Sequence, residues 1–396
     1  MPDLLIKNAN VISLEEVLAD YSVLCENGKI SRIAPSRAFQ NASADKVVDA
    51  SGLYLAPGFI DLHTHAIEHY LVDNGPEDLA EICKLLPKYG VTGLLVGVCP
   101  RPKGEGAQFL KSLAKVRSQG SQILGFHLEG PFLKMKFWHH EAVSSSPSDQ
   151  VKALIEAAKP YKAVFSISPD FEGILDLIPL MKENNTTIFM THTAANVKQT
   201  KDAIEAGAHH ATHFYDAFWS PPETDPGVRP CGAVEAILAD ERVSVDFILD
   251  GEHVDPVAVK MALACKGPDR VCLVTDANIG AGLPPDKYIM YDGEEIEFTY
   301  PGGPARRTEK SYEPGSLAGS GLTFDLAVSN AIKMLGVSLP QAVRMASANP
   351  AKVLSLDKVK GQIKEGFDAD MILLDESLKV LQTWVRGKCC FPILKQ

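Results

Sequence analysis

A His-x-His pair, His63 and His65, ends an apolar segment that begins at Pro57. In a β-strand alternate side chains point to the same face, so both imidazoles project to one side. Imidazole is a common ligand for zinc and iron, and two imidazoles on one face supply half of a metal site. An isolated pair is equally consistent with two hydrogen-bonded histidines at a strand edge. The pair therefore becomes informative only if further ligands accompany it.

Four further ligand-type side chains follow apolar, β-branched segments downstream: Glu129, His192, His213 and Asp276. Each has an ordinary structural interpretation when it is taken alone. Asp276 could cap a following segment, Glu129 could belong to a turn, and the two histidines could be buried structural residues. Their separations in the sequence are large, so only the tertiary fold can bring them together. The prediction of a metal site therefore depends on the fold.

Between the termini, an apolar segment, a polar turn and an amphipathic helical stretch repeat. The candidate strands are residues 59–63, 93–98, 123–128, 163–167, 187–191, 211–214, 243–248 and 271–275. The helices between them include residues 77–89, 107–119, 148–159, 173–184, 197–206, 232–239 and 256–265. Eight strands that alternate with helices over roughly 300 residues predict a (β/α)₈ barrel of the TIM type. A doubly wound open sheet is the alternative, but no Gly-x-Gly-x-x-Gly follows a predicted strand.

Catalytic groups of such barrels lie at the carboxyl ends of the strands, where all six candidate ligands fall. His213 is expected inside strand six, and the others at strand ends. The first fifty and the last forty residues read instead as short strands with turns. They are too few to hold separate cores, so we predict that residues 1–52 and 357–396 pair into one small β-sandwich domain. Residues 53–356 would form the barrel.

The 396-residue chain carries 39 basic and 50 acidic residues, for a net charge of −11. This charge argues against nucleic acid or a membrane surface as the main partner. No apolar run is long enough to span a bilayer, and no signal peptide is visible. The eight cysteines include no Cys-x-x-Cys pair. Reduced thiols in a cytoplasmic protein are therefore expected.

Several longer motifs resemble one known group of enzymes. The motifs are PGFIDLHTH, HLEGPFL, THTAANV, ATHFYDAF, DGEHVDP, LVTDAN, GSLAGSGLTFDLAV and RMASANPAKVL. Together they are similar to the amidohydrolase superfamily and, within it, to the N-acetylglucosamine-6-phosphate deacetylases. The resemblance covers most of the chain. It implies a hydrolase of amino-sugar metabolism that is a homodimer.

The resemblance implies a divalent metal, one or two per subunit, with zinc, iron and manganese all compatible with the ligand types. Glu129, His192 and His213 would hold the principal metal. His63 and His65, with Glu129 bridging, would allow a second.

The resemblance also implies roles in catalysis and substrate binding. Asp276 would lie among the metal ligands and act first as general base and then as general acid. His253 would polarise the scissile carbonyl. The remaining substrate-binding residues would be His140, Asp216, Ala217, Arg229, Leu317 and Ala318.

These roles agree with the chemistry of amide hydrolysis. A bound divalent metal lowers the pKa of water from about 15.7 toward 7. One carboxylate can then take a proton from water and return it to the amine, because an amide anion does not leave.

Three stretches depart from the pattern of the group. Asp216 replaces the usual asparagine where main-chain amides meet the phosphate, residues 66–70 replace a glycine-rich stretch, and residues 221–226 form an acidic loop. At about 4 Å and an effective dielectric near 20, a carboxylate disfavours a phosphate by roughly 4 kcal/mol per unit charge.

The expected reaction is the deacetylation of N-acetylglucosamine 6-phosphate to glucosamine 6-phosphate and acetate. One alternative is a deacylase of another N-acyl amino sugar or small N-acyl compound. Cyclic-amide hydrolases of the superfamily often use a carbamylated lysine on strand four, and residues 163–168 have no lysine. A barrel that binds ligands without catalysis is the alternative outside the enzymes, but all six candidate ligands and the base are present.

Overall fold

The computed structural model of the chain describes residues 2–102, 104–134, 142–183 and 185–392. Strands and helices are numbered in chain order. The first strands are β1 (Leu4–Ile12), β2 (Val17–Glu26), β3 (Lys29–Pro35), β4 (Lys46–Asp49) and β5 (Tyr54–Pro57). They are followed by β6 (Phe59–Thr64), β7 (Ala66–Ile67), β8 (Tyr70–Leu71), β9 (Val91–Val98), β10 (Gln122–Leu128), β11 (Ala163–Ile167), β12 (Ile188–Met190), β13 (Ala208–Ala211), β14 (Ser244–Ile248) and β15 (Val271–Val274). The last are β16 (Lys287–Ile289), β17 (Glu295–Glu297), β18 (Pro304–Arg307), β19 (Leu317–Ser320), β20 (Met371–Leu374), β21 (Val380–Val385) and β22 (Lys388–Phe391).

The helices mostly lie between successive barrel strands. They are α1 (Pro76–Leu85), α2 (Gly106–Leu113), α3 (Pro147–Ala158), α4 (Ile174–Lys182), α5 (Val197–Ala206), α6 (Ala233–Ala239), α7 (Pro256–Lys266), α8 (Phe324–Asn330), α9 (Leu339–Ala346) and α10 (Ala348–Val353). Within the described residues, no helix has the length and apolar composition needed to cross a bilayer.

The barrel consists of eight parallel strands in the order β15-β14-β13-β12-β11-β10-β9-β6. All residues of β6, β9 and β11 are buried, as is usual for parallel strands covered by helices. The ring is nearly closed where β15 meets β6. There the Asp276 amide donates to the His63 carbonyl at 2.8 Å, and Thr64 bridges to Ala277. The predicted barrel is confirmed, and its closure brings the first and last strands of the ring together.

One predicted strand is displaced along the sequence. Strand six was expected over residues 211–214 with His213 inside it, but β13 ends at Ala211. The His213 amide leaves the ladder and donates to Asp246 Oδ1 at 2.6 Å, which turns the backbone at this point. The prediction of His213 inside the strand was therefore wrong, and the residue lies just past the strand end.

The terminal segments form one eight-stranded sheet, in the order β22-β21-β20-β5-β1-β2-β3 with β4 beside β1. A separate, mainly β domain built from both ends of the chain is thereby confirmed. β5 pairs with both β1 and β20, so residues 54–57 belong to this sheet. The exact boundaries at residues 52 and 356 stay a prediction.

A four-stranded antiparallel sheet, β16 to β19, is inserted after the last barrel strand. We call residues 287–320 the inserted sheet. Its final strand is attached to the end of the barrel, since the Ser320 amide donates to the Asp276 carbonyl at 2.8 Å. Asn278 Nδ2 also donates to the Ala318 carbonyl at 2.7 Å. The helix and strand pattern of the sequence did not indicate this element.

Candidate active site

Six ligand-type side chains meet at the carboxyl end of the barrel. His63 lies in β6 and His65 directly follows this strand. Glu129 follows β10 immediately. His192, His213 and Asp276 each lie two residues beyond the ends of β12, β13 and β15.

Glu129 lies at the centre of the four histidines. Its Oε1 is 3.0 Å from His192 Nε2 and 3.0 Å from His213 Nε2. Its Oε2 is 3.4 Å from His63 Nε2 and 3.2 Å from His65 Nε2. The two carboxylate oxygens therefore face two different pairs of imidazoles. Glu129 would therefore be able to offer a separate oxygen to a cation at each pair.

The donor set fits a divalent metal. Nε2 of His63 lies 2.9 Å from Nε2 of His65, although at most one hydrogen can lie between two neutral rings. Asp276 Oδ1 is 3.5 Å from each of these nitrogens. Buried nitrogen and oxygen lone pairs that converge in this way are stabilised by a cation. The ligand atoms lie within 4.8 Å of one another in two sets of three residues. One set is His63, His65 and Asp276, and the other is His63, Glu129 and His213.

Three of the six residues have left-handed backbone conformations. The φ angles are +48° at His192, +34° at His213 and +44° at Asp276. Such conformations cost of order 1–3 kcal/mol for residues other than glycine and concentrate at functional sites. Here they turn each side chain inward from its strand end. The backbone strain thus supports a functional role for these residues.

In three of the histidines, the ring nitrogen Nδ1 has a neighbour that fixes the orientation of the ring. His63 Nδ1 lies 3.4 Å from Thr212 Oγ1, and His213 Nδ1 lies 3.2 Å from Thr191 Oγ1. His65 Nδ1 lies 3.6 Å from Cys99 Sγ. Each contact leaves Nε2 directed at Glu129. Groups behind metal-binding histidines commonly fix the ring in this way.

The electrostatics favour an ionised carboxylate at the centre. Burial alone would raise the pKa of Glu129, but the surrounding histidines outweigh it and hold this pKa well below its ordinary value. Burial alone would lower the pKa of His213, but its hydrogen bond to Glu129 outweighs it and raises the pKa to about 9. The Glu129 carboxylate is therefore ionised, as a ligand of a divalent cation must be.

His253 lines the same cavity beside the cluster. Its Nδ1 is 2.6 Å from Asp250 Oδ2, and its amide donates to Asp250 Oδ1 at 2.9 Å. Burial alone would lower the pKa of His253, but Asp250 outweighs it and raises the pKa above its ordinary value. Asp250 accepts from Nδ1–H, and the raised pKa favours the doubly protonated ring, in which Nε2 also carries a hydrogen to donate to a ligand.

The cavity above the cluster has a volume of about 410 Å³. The sequence predicted four of its other lining residues, Asp216, Ala217, Leu317 and Ala318. Several more were not predicted. These are Leu71, Asp73, Cys99, Trp219, Asn278, Met290, Tyr291, Asp292, Arg307, Tyr312, Glu313, Ser316 and Gly319. Most of them belong to the inserted sheet, and only the motif GSLAGSG pointed to that part of the chain.

The structure does not bring Arg229 into the cavity. Its side chain is 80% exposed on the loop after β13, and Nη2 pairs with Glu235 Oε1 at 2.6 Å. Arg229 therefore does not line the cavity in this structure, and its contact with the substrate stays a prediction. The other expected residue, His140, lies outside the described residues.

Comparison with known proteins gives separate evidence on the family of this chain. Residues 260–390 match the model of the amidohydrolase family. The chain is 31% identical over 386 residues to an N-acetylgalactosamine-6-phosphate deacetylase of Escherichia coli O157:H7, covering 96% of this chain and 97% of that one. It is 28% identical over 398 residues to an N-acetylglucosamine-6-phosphate deacetylase of Bacillus subtilis, covering 98% and 97%.

Solved structures share the fold over nearly the whole chain. N-acetylglucosamine-6-phosphate deacetylase from Pasteurella multocida superimposes with a TM-score of 0.85 at 25% identity, covering 98% of this chain and 99% of that one. A variant of the enzyme from Mycobacterium smegmatis, in complex with N-acetyl-D-glucosamine-6-phosphate, superimposes with a TM-score of 0.84 at 24% identity. That comparison covers 98% of this chain and 100% of the other.

Proposed function

Because this chain belongs to the amidohydrolase family, among the N-acetyl amino-sugar 6-phosphate deacetylases, we propose that it deacetylates N-acetylglucosamine 6-phosphate. The products are glucosamine 6-phosphate and acetate. One observation carries the proposal: Glu129 lies between two pairs of histidines, with Asp276 and His253 beside them on one cavity. The family and the cluster together support a divalent metal as cofactor.

We assign the metal ligands to His63, His65, Glu129, His192 and His213. A divalent cation in such a site acidifies water and polarises a carbonyl. Glu129 presents one oxygen to each pair of histidines and so supports two neighbouring positions. Zinc, iron and manganese all suit this donor set.

Asp276 carries the proton through the reaction. Its Oδ1 faces the two histidines that end the first barrel strand, at 3.5 Å from each. From there it accepts the proton of the attacking water and returns it to the amide nitrogen as the C–N bond breaks. His253, oriented by Asp250 and protonated on both ring nitrogens, donates from Nε2 to the carbonyl oxygen as negative charge develops there.

The first test is a panel of N-acetyl sugars assayed for acetate release. N-acetylglucosamine and N-acetylgalactosamine are each supplied with and without a 6-phosphate to the metal-loaded protein. Release from N-acetylglucosamine 6-phosphate that stops after chelation and returns with metal supports the proposal. If no member of the panel releases acetate, the deacetylase assignment is wrong.

N-acetylgalactosamine 6-phosphate is the second candidate substrate. The relative from Escherichia coli O157:H7, which is named for that sugar, is 31% identical, against 28% for the Bacillus subtilis relative. The two sugars differ only in the orientation of one hydroxyl group. The ratio of kcat/KM for the two phosphates decides between them.

We also propose a cytoplasmic homodimer. The eight cysteines are all free, which supports a reducing compartment.

Val257 and Met261 form an exposed apolar stripe on α7, with side chains 66% and 58% accessible. Such a stripe supports a contact with a second subunit. Light scattering on the native protein and on Met261→Glu measures the assembly, and a monomeric native protein contradicts it.

A further inference from the structure

The cavity has a charge that opposes an anionic substrate. Six of its lining residues are carboxylic acids: Asp73, Glu129, Asp216, Asp276, Asp292 and Glu313. Cations held by the histidine cluster would balance the carboxylates nearest to them, but Asp292 and Glu313 lie on the inserted sheet. A substrate that carries phosphate or carboxylate therefore needs a fixed positive group elsewhere in the cavity.

Arg307 is the only arginine or lysine among the described residues that line this cavity. Two other arginines nearby are committed to carboxylates. Arg101 Nη2 pairs with Asp73 Oδ1 at 3.1 Å, and Arg306 Nη2 pairs with Glu252 Oε2 at 2.7 Å. No described carboxylate lies within ion-pair distance of Arg307, so its charge remains available to a ligand.

The guanidinium of Arg307 is held in one direction by its neighbours. Nη1 donates to Ser316 Oγ at 3.2 Å and to the Leu317 carbonyl at 3.0 Å. The guanidinium carbon lies 5.0 Å from the centre of the Tyr312 ring. Such contacts fix the planar group before a ligand arrives, which lowers the cost of ordering it on binding.

Part of the guanidinium has no partner. Nε is buried and has no acceptor, and the side-chain hydrogen bonds of Arg307 to described residues both leave from Nη1, not from Nη2. A buried donor without an acceptor costs free energy, because it has lost water without gaining a hydrogen bond. Nε and Nη2 form one edge of the planar group, which matches the spacing of two oxygens of a phosphate or carboxylate. An oxyanion would satisfy both donors.

The position of Arg307 is fixed relative to the catalytic end of the barrel. Its strand, β18, pairs with β19, whose last residue is hydrogen-bonded to the Asp276 carbonyl. Leu317 and Ala318 on β19 line the same cavity as this arginine and Asp276. An oxyanion held by Arg307 thus fixes the distance from the charged end of a substrate to the base.

We infer that Arg307 is the specificity-determining residue that binds the oxyanion of the substrate. The inference rests on the proposed deacylase function. Two parts of an N-acylated sugar can carry this oxyanion: a phosphate ester on the sugar, or a carboxylate at the end of the acyl group. Both present oxygen pairs that fit the free edge of the guanidinium.

The experiment compares Arg307→Met and Arg307→Lys with Arg306→Met in the metal-loaded protein. Arg306 is the matched control, because it precedes Arg307 on the same strand but points to the opposite, exposed face. Thermal unfolding verifies that each variant is folded, and Arg307→Lys retains the charge if the methionine variant is unstable. Arg229→Met tests the arginine that the sequence suggested.

Two ratios of kcat/KM distinguish the sources of the oxyanion. The first compares N-acetylglucosamine 6-phosphate with N-acetylglucosamine, and the second compares N-succinylglucosamine with N-acetylglucosamine. One of them should fall at least about 10²-fold in Arg307→Met, mainly through KM, and less in Arg307→Lys. Arg306→Met should keep the wild-type ratios. If neither ratio changes in Arg307→Met, or if only Arg229→Met abolishes the preference, the inference is wrong.

Calorimetry separates this inference from the proposed function, because binding requires no turnover. Glucosamine 6-phosphate and succinate serve as probes of the two sources. If the wild type releases no acetate but Arg307→Met weakens one probe at least about 10-fold, the deacetylase proposal fails and the oxyanion site stands. If acetate is released and both probes bind Arg307→Met as they bind the wild type, the oxyanion site fails alone.

Discussion

The two walls of the cavity are built in different ways. The barrel wall consists of strand ends, where His192, His213 and Asp276 have left-handed backbones and buried hydrogen-bond partners. The opposite wall is the inserted sheet, whose short antiparallel strands contribute half-buried side chains such as Arg307 and Leu317. We infer that the barrel wall carries the reaction and the inserted sheet selects the substrate. A substitution should therefore cost metal or turnover on one wall and selectivity on the other.

Glu129→Gln should have the largest effect, since it removes the charge that both pairs of histidines share. Residues that merely support a metal ligand cost 10- to 100-fold in affinity, so the loss here should exceed about 10²-fold. Metal analysis after dialysis measures it. The control on the opposite wall is Glu313→Gln, which should keep its metal. Equal metal content in the two variants would remove the distinction between the walls.

The double variant His63→Ala/His65→Ala should lose no more than one equivalent of metal. Glu129, His192 and His213 remain in it and should hold the tighter ion. The complementary variant His192→Ala/His213→Ala should lose that ion. Elemental analysis of both proteins gives the metal content per subunit. Complete loss in the first variant would reverse the ranking of the two positions.

Asp276→Asn should keep both metal and fold but lower turnover at least about 10²-fold, the low end for acid–base catalysis. Asp292→Asn is the control, because it removes the same charge from the inserted sheet. Its turnover should fall by less than about tenfold, since Asp292 lies on the wall that performs no proton transfer. Steady-state acetate release measures both variants. Near-native turnover in metal-loaded Asp276→Asn would remove this residue from the reaction.

Gly319→Ala tests the contact between the two walls and should have the smallest effect. Gly319 has a φ of +71°, and an added Cβ would lie 2.6 Å from the Asp276 carbonyl oxygen. Gly315 has a φ of +80° with nothing within 4 Å, so Gly315→Ala carries the backbone cost alone. Gly315→Ala should lose about 1–2 kcal/mol of unfolding free energy, and Gly319→Ala should lose more because of the added contact with the backbone of Asp276. Only Gly319→Ala should also lower turnover, and denaturation together with kinetics resolves the two effects.

The sequence could predict which ligand-type residues lie together on the barrel wall, because functional groups of such barrels lie at the carboxyl ends of the strands. Apolar runs identify the strands, and the fold then collects whatever follows them, so His63, His192 and Asp276 could be grouped without any contact being known. The end of strand six was misplaced because the side chain of Asp246, far along the sequence, draws the His213 amide out of the ladder. Periodicity contains no information on such a contact.

The inserted sheet could not be predicted in the same way. Its strands have only three or four residues, too few to establish an alternating pattern. The resemblance points to Arg229, but it contains no information on the direction in which the Arg307 side chain lies. The direction of Arg307 depends on Ser316 and Leu317, which lie across a strand pairing.

The terminal sheet has a consequence for synthesis of the chain on the ribosome. Leu4, Ile6 and Val23 share a core with Met371 and Trp384, and Lys29 Nζ donates to the Gly366 carbonyl 337 residues later. At about 5–20 residues per second, the N-terminal strands wait roughly 20 to 70 s for the segment that covers them. During that interval their apolar face is open to chaperones or to another nascent chain. The last forty residues thus complete both the fold and the protection of the first fifty.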